Sequence, residues 1–299
     1  MTILYLFEKI RNPILDFIMA SITHLGSEMF LIVASLIVLW CIDKKWGYYL
    51  LFISSFGTTI NQFLKNHFMI ARPWLKDPNL TIVEAAKEHA TGYSFPSGHT
   101  QTIAGFFGGL IKLNISKVVK VVAYITILLV AISRMYLGVH TLEDVVVSLL
   151  IAAFLILIIY PFFFKQNKIM KIMSVGVLFA IAFVIYMELK LTRLSVISEL
   201  DLDGVKNAYT CLGLALAIVF AYKIDEKYLN YPVKAVWWAQ IIKCVIGLAI
   251  MLGIRMLLKE PLYLLTNHHY SADMIRYFIM GMVGGSVWPM TFKWFEKLK

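Results

Sequence analysis

Three short stretches of this 299-residue sequence combine basic residues, histidines and an aspartate at spacings that suit phosphate chemistry. They read KNHFMIARP over residues 65–73, PSGH over 96–99 and SRMYLGVHTLED over 133–144. Guanidinium and ammonium groups bind phosphate oxygens, whereas a histidine can attack phosphorus or protonate a departing alcohol. Together these stretches hold the residue types that bind a phosphoryl group and transfer it.

The first stretch places two cations at the end of an apolar segment. Lys65 and Arg72 are seven residues apart, or two helical turns, so a continued helix would carry both on one side. Pro73 disfavours helix at the residue before it and predicts the end of that helix. Taken alone, the stretch has a simpler explanation as a basic helix end that extends to the lipid headgroups.

The second stretch has the pattern of a helix start. Ser97 suits the N-cap, Gly98 lets backbone amides face a ligand, and a helix N-terminus favours anions. His99 would then stand in the first turn. An ordinary cap with an incidental histidine is the alternative for this stretch by itself.

The third stretch pairs a histidine with a carboxylate. His140 and Asp144 are four residues apart and would be neighbours on a helix, where Asp144 can orient one ring nitrogen and leave the other free. Arg134 adds a planar fork for phosphate oxygens. A helix-end His–Asp pair with an unrelated arginine is the simpler explanation, but charges in membrane helices are costly and usually functional.

The elements that must position these residues are membrane helices. The chain is 60% hydrophobic and 15% charged, with mean hydropathy +0.76, whereas about a quarter of a soluble domain is charged. We predict an all-α, polytopic transmembrane bundle of about nine spans. The predicted spans cover residues 27–41, 47–66, 97–112, 117–135, 141–164, 171–189, 206–222, 235–257 and 271–291.

The distribution of charge gives an orientation. The net charge of +10 would suggest nucleic acid in a soluble chain, but half of the 28 basic residues lie in five short alternate loops. Those lysines are Lys44 and Lys45; Lys112, Lys117 and Lys120; Lys165, Lys168 and Lys171; Lys223, Lys227 and Lys234; and Lys293, Lys297 and Lys299. The positive-inside rule makes these loops cytoplasmic, which puts the three stretches on the opposite side and excludes nucleic acid as the partner.

The N-terminal residues 1–26 carry Glu8, Lys9, Arg11 and Asp16 among apolar residues. This pattern predicts an amphipathic helix in the membrane interface rather than a span. No cleavable signal peptide is expected.

The three stretches resemble the type 2 phosphatidic acid phosphatase superfamily, whose pattern is Lys-x6-Arg-Pro, Pro-Ser-Gly-His and Ser-Arg-x5-His-x3-Asp. Every position is filled, in order. The resemblance implies a six-helix-type phosphatase core over residues 27–164 and a metal-independent reaction without a cofactor. The resemblance also implies that His140 is the nucleophile that becomes phosphohistidine, that Asp144 orients it and that His99 is the general acid. The phosphate ligands that it implies are Lys65, Arg72, Ser97, Gly98 and Arg134.

Residues 165–299 form a predicted C-terminal transmembrane extension that lacks these motifs. Its loops and helix ends faintly repeat the order of features in the first half, which indicates either a degenerate repeat or, as we favour, coincidence. Arg255 and Arg276 lie inside predicted spans and need a partner. Glu260, Asp273 or a lipid headgroup would serve.

The sequence favours a membrane lipid-phosphate phosphatase whose active site faces away from the cytoplasm, in a bacterial plasma membrane. Candidate substrates are undecaprenyl diphosphate, phosphatidate, phosphatidylglycerol phosphate and sphingoid phosphates. A lipid phosphotransferase that uses a prenyl diphosphate donor would need the same residues. A non-enzymatic lipid-binding protein would typically have lost one of them. The composition excludes a soluble vanadium haloperoxidase with similar motifs. No feature of the sequence indicates which oligomeric state the protein adopts.

Overall fold

A computed structural model describes residues 1–87 and 90–298; Lys299, one of the loop lysines above, lies outside them. Regular structure in the described residues is all helical, which confirms the predicted fold class. The α-helices are α1 (Thr2–Lys9), α2 (Pro13–His24), α3 (Glu28–Cys41), α4 (Lys44–Phe68), α5 (Pro73–Lys76), α6 (Gly98–Lys112), α7 (Lys117–Tyr136), α8 (Leu142–Phe164), α9 (Ile169–Arg193), α10 (Glu199–Ile224), α11 (Trp237–Leu257), α12 (Lys259–Leu265), α13 (Ser271–Met282) and α14 (Phe292–Glu296).

Each of the nine predicted spans coincides with a helix, but the helices differ in how well they suit a bilayer. Among the described residues, five are long and apolar enough to cross one: α7, α8, α9, α10 with the turn that follows it, and α11. The pair α2 and α3, bent by 48°, counts as a sixth if it forms one span. The helices α4, α6 and α13 are shorter or more polar, and the first two of them carry candidate site residues.

The chain folds into two compact units. One consists of Met1–Leu31 and Ile60–Tyr160, and the other of Ile32–Thr59 and Pro161–Lys299. All eight candidate site residues belong to the first unit. The division of the sequence into residues 1–26, 27–164 and 165–299 concerns function and stays a prediction.

The N-terminal stretch of the first unit forms two helices rather than the single one predicted. Asn12 caps α2 by accepting from the backbone N–H of Leu15 (3.0 Å), and Pro13 occupies the first helical position. Arg11, in the break, donates to the carbonyls of Tyr136 (2.9 Å) and Thr81 (2.7 Å). This arginine therefore attaches the N-terminal stretch to the C-terminal end of α7.

Within the second unit, α10 packs against α9 and α13, and small residues line its contact with α13 and with the turn after α13. Ala217 and Ala221, one turn apart on α10, face Gly281 and Gly285, where an added Cβ would stand 2.5 Å from the alanine methyl group in each case. Small residues at such positions let membrane helices approach closely.

A buried charged cluster lies in the same unit. Arg276 pairs with Asp273, which is fully buried and also accepts from the hydroxyl of Tyr263. Of the partners considered from the sequence, Asp273 is thus the one that Arg276 contacts, whereas Glu260 lies beside the exposed Lys259.

Candidate active site

The first two cations reach the site by a different path from the one predicted. Helix α4 ends at Phe68, because Met69 takes a left-handed conformation (φ 50°) that terminates helices, so the expected continuous helix to Arg72 is wrong. Lys65 stays on the last turn of α4, while Arg72 is extended and precedes Pro73 at the start of α5. Both side chains are nevertheless buried within the same unit.

Lys65 and Arg72 hold the loop that leads into the second motif. The Lys65 ammonium donates to the carbonyls of Tyr93 (2.6 Å) and Ser94 (3.3 Å). Arg72 donates through Nε to the carbonyl of Gly92 (3.0 Å), and burial lowers its pKa to about 10, so it stays charged at neutral pH. These bonds fix the two cations without neutralising them.

The histidine–aspartate pair is built by a helix cap. His140 precedes α8, because Thr141 is the N-cap residue, so the prediction that His140 and Asp144 share one helix is wrong. The hydroxyl of Thr141 accepts from the backbone N–H of Asp144 (3.3 Å), and the Asp144 carboxylate accepts from the backbone N–H of Thr141 (2.9 Å). This reciprocal capping box aims the carboxylate back along the chain toward the ring of His140.

The ring of His140 is held on both sides. Nδ1 lies 3.2 Å from Oδ2 of Asp144, and Nε2 lies 2.9 Å from Nη1 of Arg72. Since a guanidinium only donates, Nε2 accepts and the proton resides on Nδ1, directed at the carboxylate. Burial, first, and then nearby positive charges, that of Arg72 foremost, hold the pKa of His140 well below its ordinary value. The ring is therefore neutral, with its nucleophilic lone pair on Nε2.

The start of α6 closes against this pair. Ser97 caps the helix as predicted, with its hydroxyl accepting from the backbone N–H of Thr100 (3.5 Å), and Gly98 opens the first turn. The backbone N–H of Ser97 donates to the carbonyl of Asp144 (3.1 Å), and the hydroxyl of Ser148 donates to the carbonyl of Ser97 (2.9 Å). The capped N-terminus is thereby fixed to the start of α8.

Two candidate residues lie at the edges of this network. His99 is half-buried in the first turn of α6, within electrostatic range of the site cations. Arg134 is buried near the end of α7, where Nη1 donates to the hydroxyl of Thr23 (2.7 Å) and Nε has no partner among the described residues. Gly138, at φ 80°, makes the turn from α7 to His140, and a Cβ there would lie 2.9 Å from a nitrogen of Arg11.

Sequence reasoning missed three supporting residues. Ser94 donates to the Asp144 carboxylate (2.5 Å), Thr23 orients Arg134, and Thr141 supplies the cap. Ser94 and Thr141 lie inside or beside the quoted stretches, but their roles depend on contacts that local spacing does not reveal. Over the described ranges, no group of three or more His, Cys, Asp or Glu side chains is placed to hold a metal ion.

Comparisons with known proteins find family matches in both halves of the chain. The sequence profile of the PAP2 superfamily matches residues 46–168, and that of the transmembrane extension of PAP2 superfamily phosphatases matches residues 209–299. Phosphatidylglycerophosphatase B of Bacillus subtilis is 33% identical over 150 residues, which cover 46% of this chain and 69% of that protein. A probable sphingosine-1-phosphate phosphatase of Dictyostelium discoideum is 30% identical over 48% of this chain, and the match spans only 38% of that protein.

A solved structure is also similar. The crystal structure of a transmembrane PAP2-type phosphatidylglycerolphosphate phosphatase from Bacillus subtilis gives a TM-score of 0.47 at 28% identity, covering 56% of this chain and 84% of that one. The matched profiles, together with helices able to span a bilayer, define an integral membrane phosphatase, that is, a phosphoric monoester hydrolase. The chain belongs to the PAP2 superfamily.

Proposed function

We propose that this protein hydrolyses the phosphate monoester or diphosphate of a membrane lipid through a phosphohistidine on His140. The observation that carries the proposal is the double restraint of the His140 ring, with Asp144 at Nδ1 and Arg72 at Nε2. The names of the two relatives, one a phosphatidylglycerophosphatase and the other a probable sphingosine-1-phosphate phosphatase, support a lipid phosphate as substrate.

The charge of the site favours a phosphate dianion. Within the described part of the chain, three buried cations, Lys65, Arg72 and Arg134, surround a site in which Asp144 is the hydrogen-bonded carboxylate. A buried excess of positive charge is costly unless an anion compensates it, and a phosphate monoester carries about −1.5 to −2 charges at neutral pH. The first-turn amides of α6 and the unpaired Nε of Arg134 offer further donors.

The reaction would proceed in two steps. A phosphate oxygen takes over the hydrogen bond of Arg72, which frees Nε2 of His140 to attack phosphorus. The P–O bond to the lipid alcohol breaks as His99 donates a proton to the leaving oxygen, and Asp144 stabilises the positive charge on the phosphorylated ring. Water then attacks the phosphohistidine, His99 accepts the proton of that water, and inorganic phosphate leaves.

We assign the phosphatase core to residues 27–164 and the extension to residues 165–299, a division that the two profile matches support. The lysine-rich loops favour an active site on the extracytoplasmic side, and the similarity to a Bacillus protein favours a bacterial plasma membrane. In a cysteine-free background, Glu84→Cys should react with an impermeant thiol reagent in intact cells and Gln166→Cys should not. Both positions are exposed, so the reverse pattern would overturn the orientation.

The experiment that tests the function is a phosphate-release panel in mixed micelles with excess EDTA. The substrates are phosphatidate, phosphatidylglycerol phosphate, sphingosine phosphate and undecaprenyl diphosphate. We expect release of inorganic phosphate from at least one lipid, without added metal, and inhibition by vanadate. Activity that is lost in EDTA and restored by magnesium would contradict the mechanism. Phosphate that reappears in a second lipid would indicate a phosphotransferase.

A further inference from the structure

Two buried amides beside the phosphate site lack partners in the protein. Asn61 on α4 is 2% exposed and Gln101 on α6 is 1% exposed. Among the described residues, neither the oxygen nor the nitrogen of either side chain has a hydrogen-bond partner. Buried amides are normally satisfied, so four orphaned atoms on two neighbouring helix ends require an explanation.

Each amide lies about one helical turn along the chain from a candidate phosphate ligand. Asn61 is four residues before Lys65 on α4, or about 6 Å further from the end of that helix. Its Oδ1 would lie 3.7 Å from a Cβ at Gly98, so the asparagine faces the first turn of α6. Gln101 is three residues after Gly98 and therefore shares that face.

Leucine at both positions would leave no unsatisfied polar atom, so the amides destabilise the free protein. An uncharged amide contributes little to binding a phosphate dianion that three cations already surround. It both donates and accepts, which matches a hydroxyl group or an ester carbonyl. In a glycerol or sphingoid phosphate, such groups lie within a few bonds of the phosphate, whereas a prenyl phosphate continues directly as hydrocarbon.

We propose that Asn61 and Gln101 bind the polar linker between the phosphate and the tails, and so select glycerol and sphingoid phosphates over prenyl phosphates. This inference rests on the proposed lipid phosphatase function. The separation of about 6 Å along α4 agrees with the few bonds between the phosphate and the nearest linker oxygen. A site built to hydrogen-bond a substrate group discriminates strongly against analogues that lack that group.

The test compares kcat/KM for phosphatidate and sphingosine phosphate with that for farnesyl phosphate in the same micelles. Asn61→Leu keeps the branched shape of the side chain, Gln101→Met keeps its approximate length, and both remove the amide. We expect each to lower kcat/KM for the two linker-containing lipids by about 10- to 100-fold, with farnesyl phosphate changed by less than about 3-fold. Both variants should melt no lower than the wild type, since each removes orphaned polar atoms.

Asn66→Leu is the matched control on the same helix, because Asn66 is also buried but donates to the carbonyl of Gln62 (2.8 Å). It should leave the substrate ratio unchanged. Equal losses on all three lipids, an unmoved ratio in both test variants, or the same shift in the control would overturn the proposal. Failure of the wild type to release phosphate from any lipid would instead refute the proposed function, so the two failures are distinguishable.

Discussion

Asp144→Asn should cost this protein far less activity than the same change costs a serine-protease triad. In a triad, the asparagine can present its amide NH₂ to the histidine, which fixes the wrong tautomer and lowers kcat about 10⁴-fold. Here Oδ2 of Asp144 accepts from three donors: Ser94 Oγ (2.5 Å), the backbone N–H of Thr141 (2.9 Å) and His140 Nδ1 (3.2 Å). An NH₂ group in that place would face the backbone N–H of Thr141, which can only donate, whatever the histidine tautomer. The asparagine should therefore present its oxygen there.

The expected loss of activity then comes from the hydrogen bond between His140 and residue 144. Its acceptor is a charged carboxylate in the wild type and a neutral amide in the variant, which stabilises the positive charge on the ring less. Hydrogen bonds to charged groups contribute about 1.5–3 kcal/mol and neutral ones about 0.5–1.5, a difference of about 1–2 kcal/mol. That difference corresponds to about a 5- to 30-fold decrease in kcat. Initial rates of phosphate release, with folded protein quantified by thermal melting, give the value.

The double variant Ser94→Ala with Asp144→Asn provides the internal control. The Ser94 hydroxyl can accept as well as donate, so it does not select the orientation of the amide. The double variant should therefore lose about the product of the two single losses, and a larger loss would show that Ser94 orients the amide. A 10⁴-fold loss in Asp144→Asn alone would show that the capping network does not orient the amide. Full activity would show that Asp144 does not stabilise the ring.

Three further predictions follow from other parts of the structure. His99→Ala should lower kcat for a lipid monoester by about 10²–10⁴-fold but matter much less for p-nitrophenyl phosphate, whose leaving group needs no proton; equal losses would exclude a general-acid role. Burial and neighbouring cations lower the pKa of His140, so its ring stays neutral as the pH falls through about 6.5. When kcat/KM is measured against pH with two substrates whose phosphates differ in pKa, the acidic limb that both profiles share should have its midpoint below that pH. A shared midpoint above about 6.5 contradicts this. Arg276→Gln should lower the free energy of unfolding by about 3–5 kcal/mol, because Asp273 is left buried without its partner, with turnover of folded protein unchanged. The exposed Arg193→Gln is its control, and an altered substrate ranking in Arg276→Gln would indicate headgroup contact instead.

The helices, and the candidate site residues that the first unit brings together, could largely be predicted because each depends on local signals. Apolar runs located the spans, and Ser97 was predictable as a cap because a serine followed by a small residue and an apolar run is a helix-start pattern. The His140–Asp144 contact was expected from spacing on one helix. It forms through a cap at Thr141 instead, since a separation of three or four residues also brings side chains together across a helix start.

The parts that the sequence did not predict depend on backbone conformation and long-range contacts. The left-handed Met69 ends α4 although nothing in its side chain requires it. The contacts of Arg11 with Thr81 and Tyr136 join segments far apart in the chain, and the bond from Ser94 to Asp144 closes a separation of 50 residues. Such pairs are fixed by the packing of the whole unit, so composition and periodicity do not specify them.

The most direct test of the account is to identify the residue that carries the covalent phosphate. A phosphatidate labelled with ³²P is mixed with enzyme and quenched within milliseconds in alkaline detergent, because the N–P bond hydrolyses in acid. We predict label on His140 in the wild type, none in His140→Ala, and undiminished labelling in His67→Ala, which alters an exposed histidine on α4. A phosphoenzyme that survives in His140→Ala, or label located on His99, would contradict the assignment of the nucleophile.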